Sequence, residues 1–187
     1  MELSLNSEIT TSKTASRAIG VAAFVILTCL GAFVRIPLVI SPVPLTLQTF
    51  FVLLSGACLG ARRGALSQGL YCLLGTLGLP VFTGAGFGLL YLAGPTGGYL
   101  AGFVVAGLVL GRFIGTARNL ARVFCLMCLA DAILLGMGAG WLAIGCGFSI
   151  AQAFTAGMLV FVPGDLIKAF AASLVYQKIR NRCSEVF

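Results

Sequence analysis

Apolar runs of about 15 to 20 residues alternate along the chain with short polar, proline-rich or glycine-rich breaks, and none shows the period-2 alternation of a half-buried strand. In lipid such runs must satisfy their own backbone, which predicts spanning helices rather than a barrel. The first span covers Ala18 to Phe33 and ends near Arg35-Ile36-Pro37. The prolines of Ser41-Pro42-Val43-Pro44 lack amide donors and interrupt helix before a second span from Leu45 to Gly60. A third span returns from Gly64 to Gly78. From Leu79-Pro80 to Gly94-Pro95 the chain is uncharged and crowded with Gly84, Gly86 and Gly88 among Phe82, Phe87 and Tyr91, which predicts a loop and not a helix. Loops of that length often act as lids, and an idle surface loop is the alternative.

A fourth span runs from Thr96 to Arg112, with glycines at 94, 98 and 102 and again at 107, 111 and 115, expected to form one small face for close helix packing. A fifth covers Ala121 to Gly138 and contains Asp131. The apolar segment between Trp141 and Val162 fits either a separate short helix or an extension of the last span. That last span is expected to begin at Pro163-Gly164-Asp165, where proline suits the first turn and aspartate the positive end of the dipole, and to reach Gln177. No internal repeat is evident.

Composition narrows the class. Of 187 residues, 59% are hydrophobic and 9% charged, with mean hydropathy +1.08. Soluble domains carry about 25% charged residues, so a water-soluble globule is excluded and the solvent is largely lipid. The net charge of +7 does not point to nucleic acid, because ten of the twelve cations fall in four clusters between apolar runs: Lys13/Arg17, Arg62/Arg63, Arg112/Arg118/Arg122 and Lys178/Arg180/Arg182. The positive-inside rule places all four in the cytoplasm if the span count is even, leaving Arg35 and Lys168 outside the pattern. The predicted fold is an all-α integral membrane protein, a bundle of six transmembrane helices with both termini cytoplasmic. Residues 1–16 form a polar cytoplasmic N-terminus, 17–180 a single membrane-embedded binding domain and 181–187 a cytoplasmic tail. The polar start, with Glu2 and Glu8, argues against a cleaved signal peptide. Seven cysteines, mostly within apolar runs, read as packing residues, and even Cys125 and Cys128 have no histidine or second pair to complete a metal site.

Three ionisable residues lie in or near apolar runs: Asp131, Asp165 and Lys168. Each costs about 2.5 to 3.5 kcal/mol when centred in a span, so each must face a cavity or a partner. Asp165 and Lys168 are three residues apart and share a helix face. They can pair with each other or offer an acceptor and a donor to one polar ligand, at a helix N-terminus open to the outside. For Asp131 a structural or protonated acid and a functional acid both stay open. Gln48, near the outer end of span two, suits a ligand or a neighbouring helix equally. Tyr99 can line a pocket or sit in an interfacial belt. Ala18 and Ala22 form a small-xxx-small pair, most often ordinary helix packing. The chain has no GxxxxGK[ST], no GxGxxG, no GxSxG and no histidine, so ATP hydrolysis, serine chemistry and zinc chemistry lack their usual parts. Enzymatic activity is not expected; an intramembrane acid pair of Asp131 and Asp165, and a structural subunit that binds no solute, are the competing readings.

Ile36-Pro37, Ser41 to Thr49, Gly78 to Phe82, Gly94 to Tyr99 and Pro163 to Lys168 together resemble the BioY family, the biotin-binding S components of bacterial energy-coupling factor transporters. The likeness extends from Ala18 to Tyr176. It implies one biotin site near the external face of a multi-pass protein of the bacterial plasma membrane, roofed by the loops after spans one and three. It also implies partners: a transmembrane coupling subunit and two cytoplasmic ATPases. Asp165 and Lys168 match the family's binding pair; Gln48, Tyr99 and Thr83 are further substrate contacts by position. The resemblance raises Ala18 and Ala22 to a partner-docking surface. Asp131 matches no motif of the family, and 141–158 aligns only loosely. Biotin enters as transported ligand, not as cofactor; because ligand identity rests on the resemblance, an S component for another vitamin is the alternative. The end of biotin that each residue contacts, and action alone, as a homo-oligomer or only with ATPase partners, are left open.

Overall fold

The computed structural model describes residues 2–186, with side chains described for 14–181 and 183. Lys13, Glu2, Glu8, Arg182 and Glu185 therefore have side chains outside the described residues. The chain folds as α1 (Glu2–Phe33), β1 (Arg35–Ile36), β2 (Leu45–Thr46), α2 (Gln48–Leu59), α3 (Ala61–Thr76), α4 (Leu89–Ala93), α5 (Gly97–Phe113), α6 (Leu120–Gly145), α7 (Ile150–Phe154) and α8 (Val162–Val186). A 3-10 turn, Ile114–Thr116, follows α5, and a π-turn, Thr155–Leu159, follows α7. Four stretches are long and apolar enough to cross a membrane: Thr14–Phe33, Gly97–Thr116, Leu120–Gly145 and Ile150–Asn181. Helix α2 is a shorter apolar helix, and α3, of 16 residues, carries Arg62 and Arg63 in its first turn.

Helix α5 is central, packed against α2, α3 and α6. Its glycines do not make one face. Gly98 and Gly102 admit Trp141 and Leu134 of α6, whereas Gly107 and Gly111 admit the backbone of Gly64 and Ala61 of α3. The step from 102 to 107 is five residues, which rotates the second pair by about 140° from the first. Gly94 caps α4, and Gly115 faces open space. The result is a helix that two neighbours approach from different sides.

Helix α6 does not stop at Gly138 but continues through Trp141 to Gly145. Gly138 is a contact position, not a break: a Cβ there would stand 2.2 Å from the Tyr99 ring. The segment 141–162 is both things at once. Ser149 and Gln152 form a capping box that starts α7, and the helical run then continues through the π-turn into α8, which extends beyond Gln177. The 79–95 loop also departs from expectation, since Leu-Leu-Tyr-Leu-Ala between Gly88 and Gly94 forms α4. Strong helix formers between two glycines suffice for one turn. The loop is folded inward: Phe82 is fully buried, bridged through its backbone to Gly86, and stacks on Tyr91 with centroids 4.9 Å apart.

Helices α2, α5 and α8 all begin at one end of the bundle, where Thr49, Tyr99 and Asp165 face a common cavity. They finish at the other, where Leu59, Gly111 and Tyr176 lie together and Arg180 donates to the carbonyl of Arg118 at 3.5 Å. Thr28 of α1, Ser55 of α2 and Gln68 of α3 are fully buried and share hydrogen bonds through the Gln68 side chain, at 3.0 to 3.3 Å. Polar side chains of this kind join helices where lipid supplies no hydrophobic drive.

Candidate functional site

The cavity lies between the first turns of α2, α5 and α8, with α3, α6 and the 79–95 loop completing its walls. It encloses about 500 Å³ of space that runs out to its mouth. Its position follows from local sequence. The prolines at 37, 42 and 44 end α1 and turn the chain into the two-residue ladder of β1 and β2, antiparallel with Arg35 opposite Thr46. The ladder delivers Gln48 and Thr49 to the start of α2 at the cavity. Gly164 has no side chain to hold Leu45 off, and a Cβ there would stand 2.8 Å from it. Helix α8 therefore comes close enough for its first turn to meet Thr49.

One pole of the cavity is charged. Lys168 Nζ donates to Asp165 Oδ1 at 2.6 Å and to Thr49 Oγ1 at 3.0 Å, and Thr49 Oγ1 donates to Asp165 Oδ1 at 3.0 Å. The three groups close a triangle, with Asp165 buried and the Lys168 side chain 12% exposed toward the cavity. The second pole is neutral. Gln48 Nε2 donates to the Tyr71 hydroxyl at 2.6 Å, which donates onward to the Val81 carbonyl at 3.2 Å. Gln48 Oε1 accepts from Thr83 Oγ1 at 3.0 Å and from Thr46 Oγ1 at 3.2 Å, and Tyr91 donates to the Thr83 carbonyl. Between the poles the walls are apolar: Phe82, Phe103, Leu134, Leu135 and Phe161. Such a cavity fits a compact ligand with an apolar body and polar groups at both ends.

Asp165, Lys168, Gln48, Thr83 and Tyr99 all line this one cavity, brought together from α2, α5, α8 and the loop. Tyr99 is buried, and its hydroxyl donates to the Gly157 carbonyl, so its ring, not its hydroxyl, faces the space. Ala18 and Ala22 are elsewhere, exposed on the outer side of α1 beside Ile19 and Ile26. Asp131 does not line the cavity. It borders a second chamber between α6 and α8, where Asp165 forms part of the shared wall. Its Oδ1 is buried without a hydrogen-bond partner, whereas two carboxyls acting as a catalytic acid pair share a proton through a hydrogen bond. Phe82 and Tyr91 are legible in the sequence only as aromatics of the predicted lid loop, and Thr49 and Tyr71 are not singled out at all. The adjacency of Thr49 to Gln48 is the one local signal for that pair.

Comparison with known proteins gives a consistent result. The family model described as the BioY family matches residues 5–185. The chain is 41% identical over 161 residues to the probable biotin transporter BioY of Pyrococcus horikoshii, covering 86% of this chain and 94% of the relative. It is 37% identical over 158 residues to the biotin transporter BioY of Thermotoga maritima, covering 84% and 92%. The crystal structure of the S-component for biotin from an ECF-type ABC transporter superposes with a TM-score of 0.82 at 28% identity, covering 94% of each chain.

Proposed function

The chain belongs to the BioY family, and on that premise we propose that it captures biotin in the two-poled cavity and serves biotin uptake. It is a transporter component and not an enzyme. Biotin's fused rings supply the apolar body, its ureido group both N–H donors and a carbonyl acceptor, and its side chain a carboxylate. Asp165, Lys168, Gln48 and Thr83 supply complementary polar groups, and Tyr99 with the phenylalanines supplies the wall. The observation that carries this reading is the Thr49–Asp165–Lys168 triangle, an ion pair left open on one side to a cavity instead of packed over.

In this reading residues 17–180 form one membrane-embedded binding domain of six spans, flanked by 1–16 and 181–187 in the cytoplasm. The arginine-rich end lies inside and the cavity opens outward. The protein resides in the plasma membrane, and α1 presents Ala18 and Ala22 to a transmembrane coupling subunit that works with two cytoplasmic ATPases. Calorimetric titration of the purified full chain in detergent tests the ligand: saturable heat with biotin and none with riboflavin or thiamine is expected. Well-folded protein that gives no heat with biotin refutes it.

A further inference from the structure

The site described above leaves one buried group unused. Asp131 on α6 is 6% exposed, Oδ1 has no hydrogen-bond partner, and no ion pair reaches it among the described residues. It faces the second chamber, whose other polar wall is Asp165. Counted together, Asp131 and Asp165 carry two negative charges if both are ionised, against the single positive charge of Lys168. Lys168 is already bonded to Asp165 and Thr49. The buried cluster is therefore short of one positive charge, and a carboxylate in a dry interior without partner or cation is not sustained.

We infer that Asp131 is a proton-binding site in the chamber behind the ion pair, and that its occupancy is linked to ligand binding in the cavity. This rests on the biotin reading of the preceding section. The missing cation is a proton and not a metal ion because the remaining walls, among them Ala132, Leu135, Met158 and Leu166, are apolar, while hard cations need six or more oxygens. The groups facing Asp131 across the chamber are Cys128 on its own helix and Asp165 on α8, with Lys168 bonded to Asp165 from the side of the adjoining cavity; Tyr99 on α5 and Thr49 on α2 line that cavity and not the chamber. The segment 150–161 contributes no charged residue.

The sign of the linkage does not depend on how biotin lies. At neutral pH biotin brings one negative charge into a cavity that shares Asp165 and Leu135 with the chamber. A nearby negative charge favours the neutral acid, so ligand and proton each strengthen the other's binding, by thermodynamic reciprocity. Such couplings commonly amount to about fivefold or more.

Two measurements on the full chain in lipid test this. Infrared spectra of ligand-free protein should show a protonated-carboxyl band that is absent in Asp131→Asn and displaced in Asp131→Glu. An unchanged band in both variants overturns the site, whatever biotin does. Biotin titration across the neutral pH range should then show affinity falling about fivefold or more with rising pH in the wild type and a much flatter profile in Asp131→Asn. Identical profiles overturn the linkage, and affinity that follows sodium concentration at fixed pH overturns the proton in favour of a metal ion. Loss of biotin binding in every form, with the band still assigned to Asp131, refutes the biotin reading and leaves the proton site standing.

Discussion

At the end of the bundle where α2, α5 and α8 begin, side chains meet side chains; at the end where they finish, backbone meets backbone. The first end is held by hydroxyl, amide, carboxylate and ammonium groups bonded across the cavity, with Thr49 reaching Asp165 and Gln48 reaching Tyr71. The second is drawn together by glycine contacts, where a Cβ on Gly56 would stand 2.8 Å from the Gly107 carbonyl oxygen and one on Gly111 2.3 Å from the Ala61 nitrogen. Polar side chains leave room between helices and give that room a chemistry. Glycine contacts bring backbones together beside an open groove lined by Leu59, Gly111 and Tyr176. The contrast implies that affinity and stability are controlled from opposite ends, and substitutions at each end separate them.

The largest effect on binding is expected at the charged pole. Lys168→Ala leaves Asp165 buried with only Thr49, and Asp165→Ala leaves the ammonium with only a hydroxyl. Either variant deletes a charged partner for the ligand, and a hydrogen bond to a charged group contributes roughly 1.5 to 3 kcal/mol, about a tenfold or greater loss of biotin affinity by calorimetry. Insertion should survive, because removing a charge eases transfer into lipid.

The opposite end should respond in stability. Gly111→Ala forces a methyl group into the backbone of the α2–α3 turn, and overpacking of this kind costs about 1 to 3 kcal/mol. A lowered midpoint of thermal unfolding in detergent, with biotin affinity of the folded protein within about twofold, is the expected result; a large loss of affinity at equal stability would erase the distinction between the ends. A smaller effect belongs to the neutral pole. Gln48→Ala removes the bond to Tyr71 but leaves the Tyr71 hydroxyl its contact with Val81. Net hydrogen-bond contributions near 1 kcal/mol give about a fivefold loss of biotin affinity.

This division of labour also marks what was legible in the sequence. Asp165 and Lys168 stood out because lipid makes every charge in an apolar run expensive, so their burial needs a reason. Thr49 and Tyr71 carry no such penalty, and a partner 116 residues away along the chain for Thr49 leaves no local trace. The helices are legible as apolar runs, but their ends are less so where a glycine that packs against a neighbour resembles punctuation. In α6 Gly138 lies inside the helix because Tyr99 fills the space above it, and in α5 the fourth-residue spacing conceals a five-residue step that turns the stripe to a second neighbour. Glycine in a membrane helix signals a close neighbour, and which neighbour is a tertiary fact.

The outer side of α1 belongs to neither end, and there the expected effect on biotin affinity is nil. Ala18 and Ala22 are exposed, and the exposed Ile19, Ile26 and Leu30 continue the same apolar surface along the helix. Helix α1 is tied to α2 and α3 on its other side through Thr28 and the Gln68 side chain, so a larger residue on the bare side disturbs no contact inside the bundle. If that side docks a coupling subunit, its alanines set how closely a second helix can approach, and an indole there holds the partner off. Ala18→Trp and Ala22→Trp should therefore bind biotin like the wild type in titration, yet fail to co-purify with the coupling subunit and ATPases and fail to support uptake in cells. Normal co-purification of both variants would move the docking surface off α1. Weakened biotin binding would mean instead that α1 shapes the cavity, and the separation between binding end and docking side would not hold.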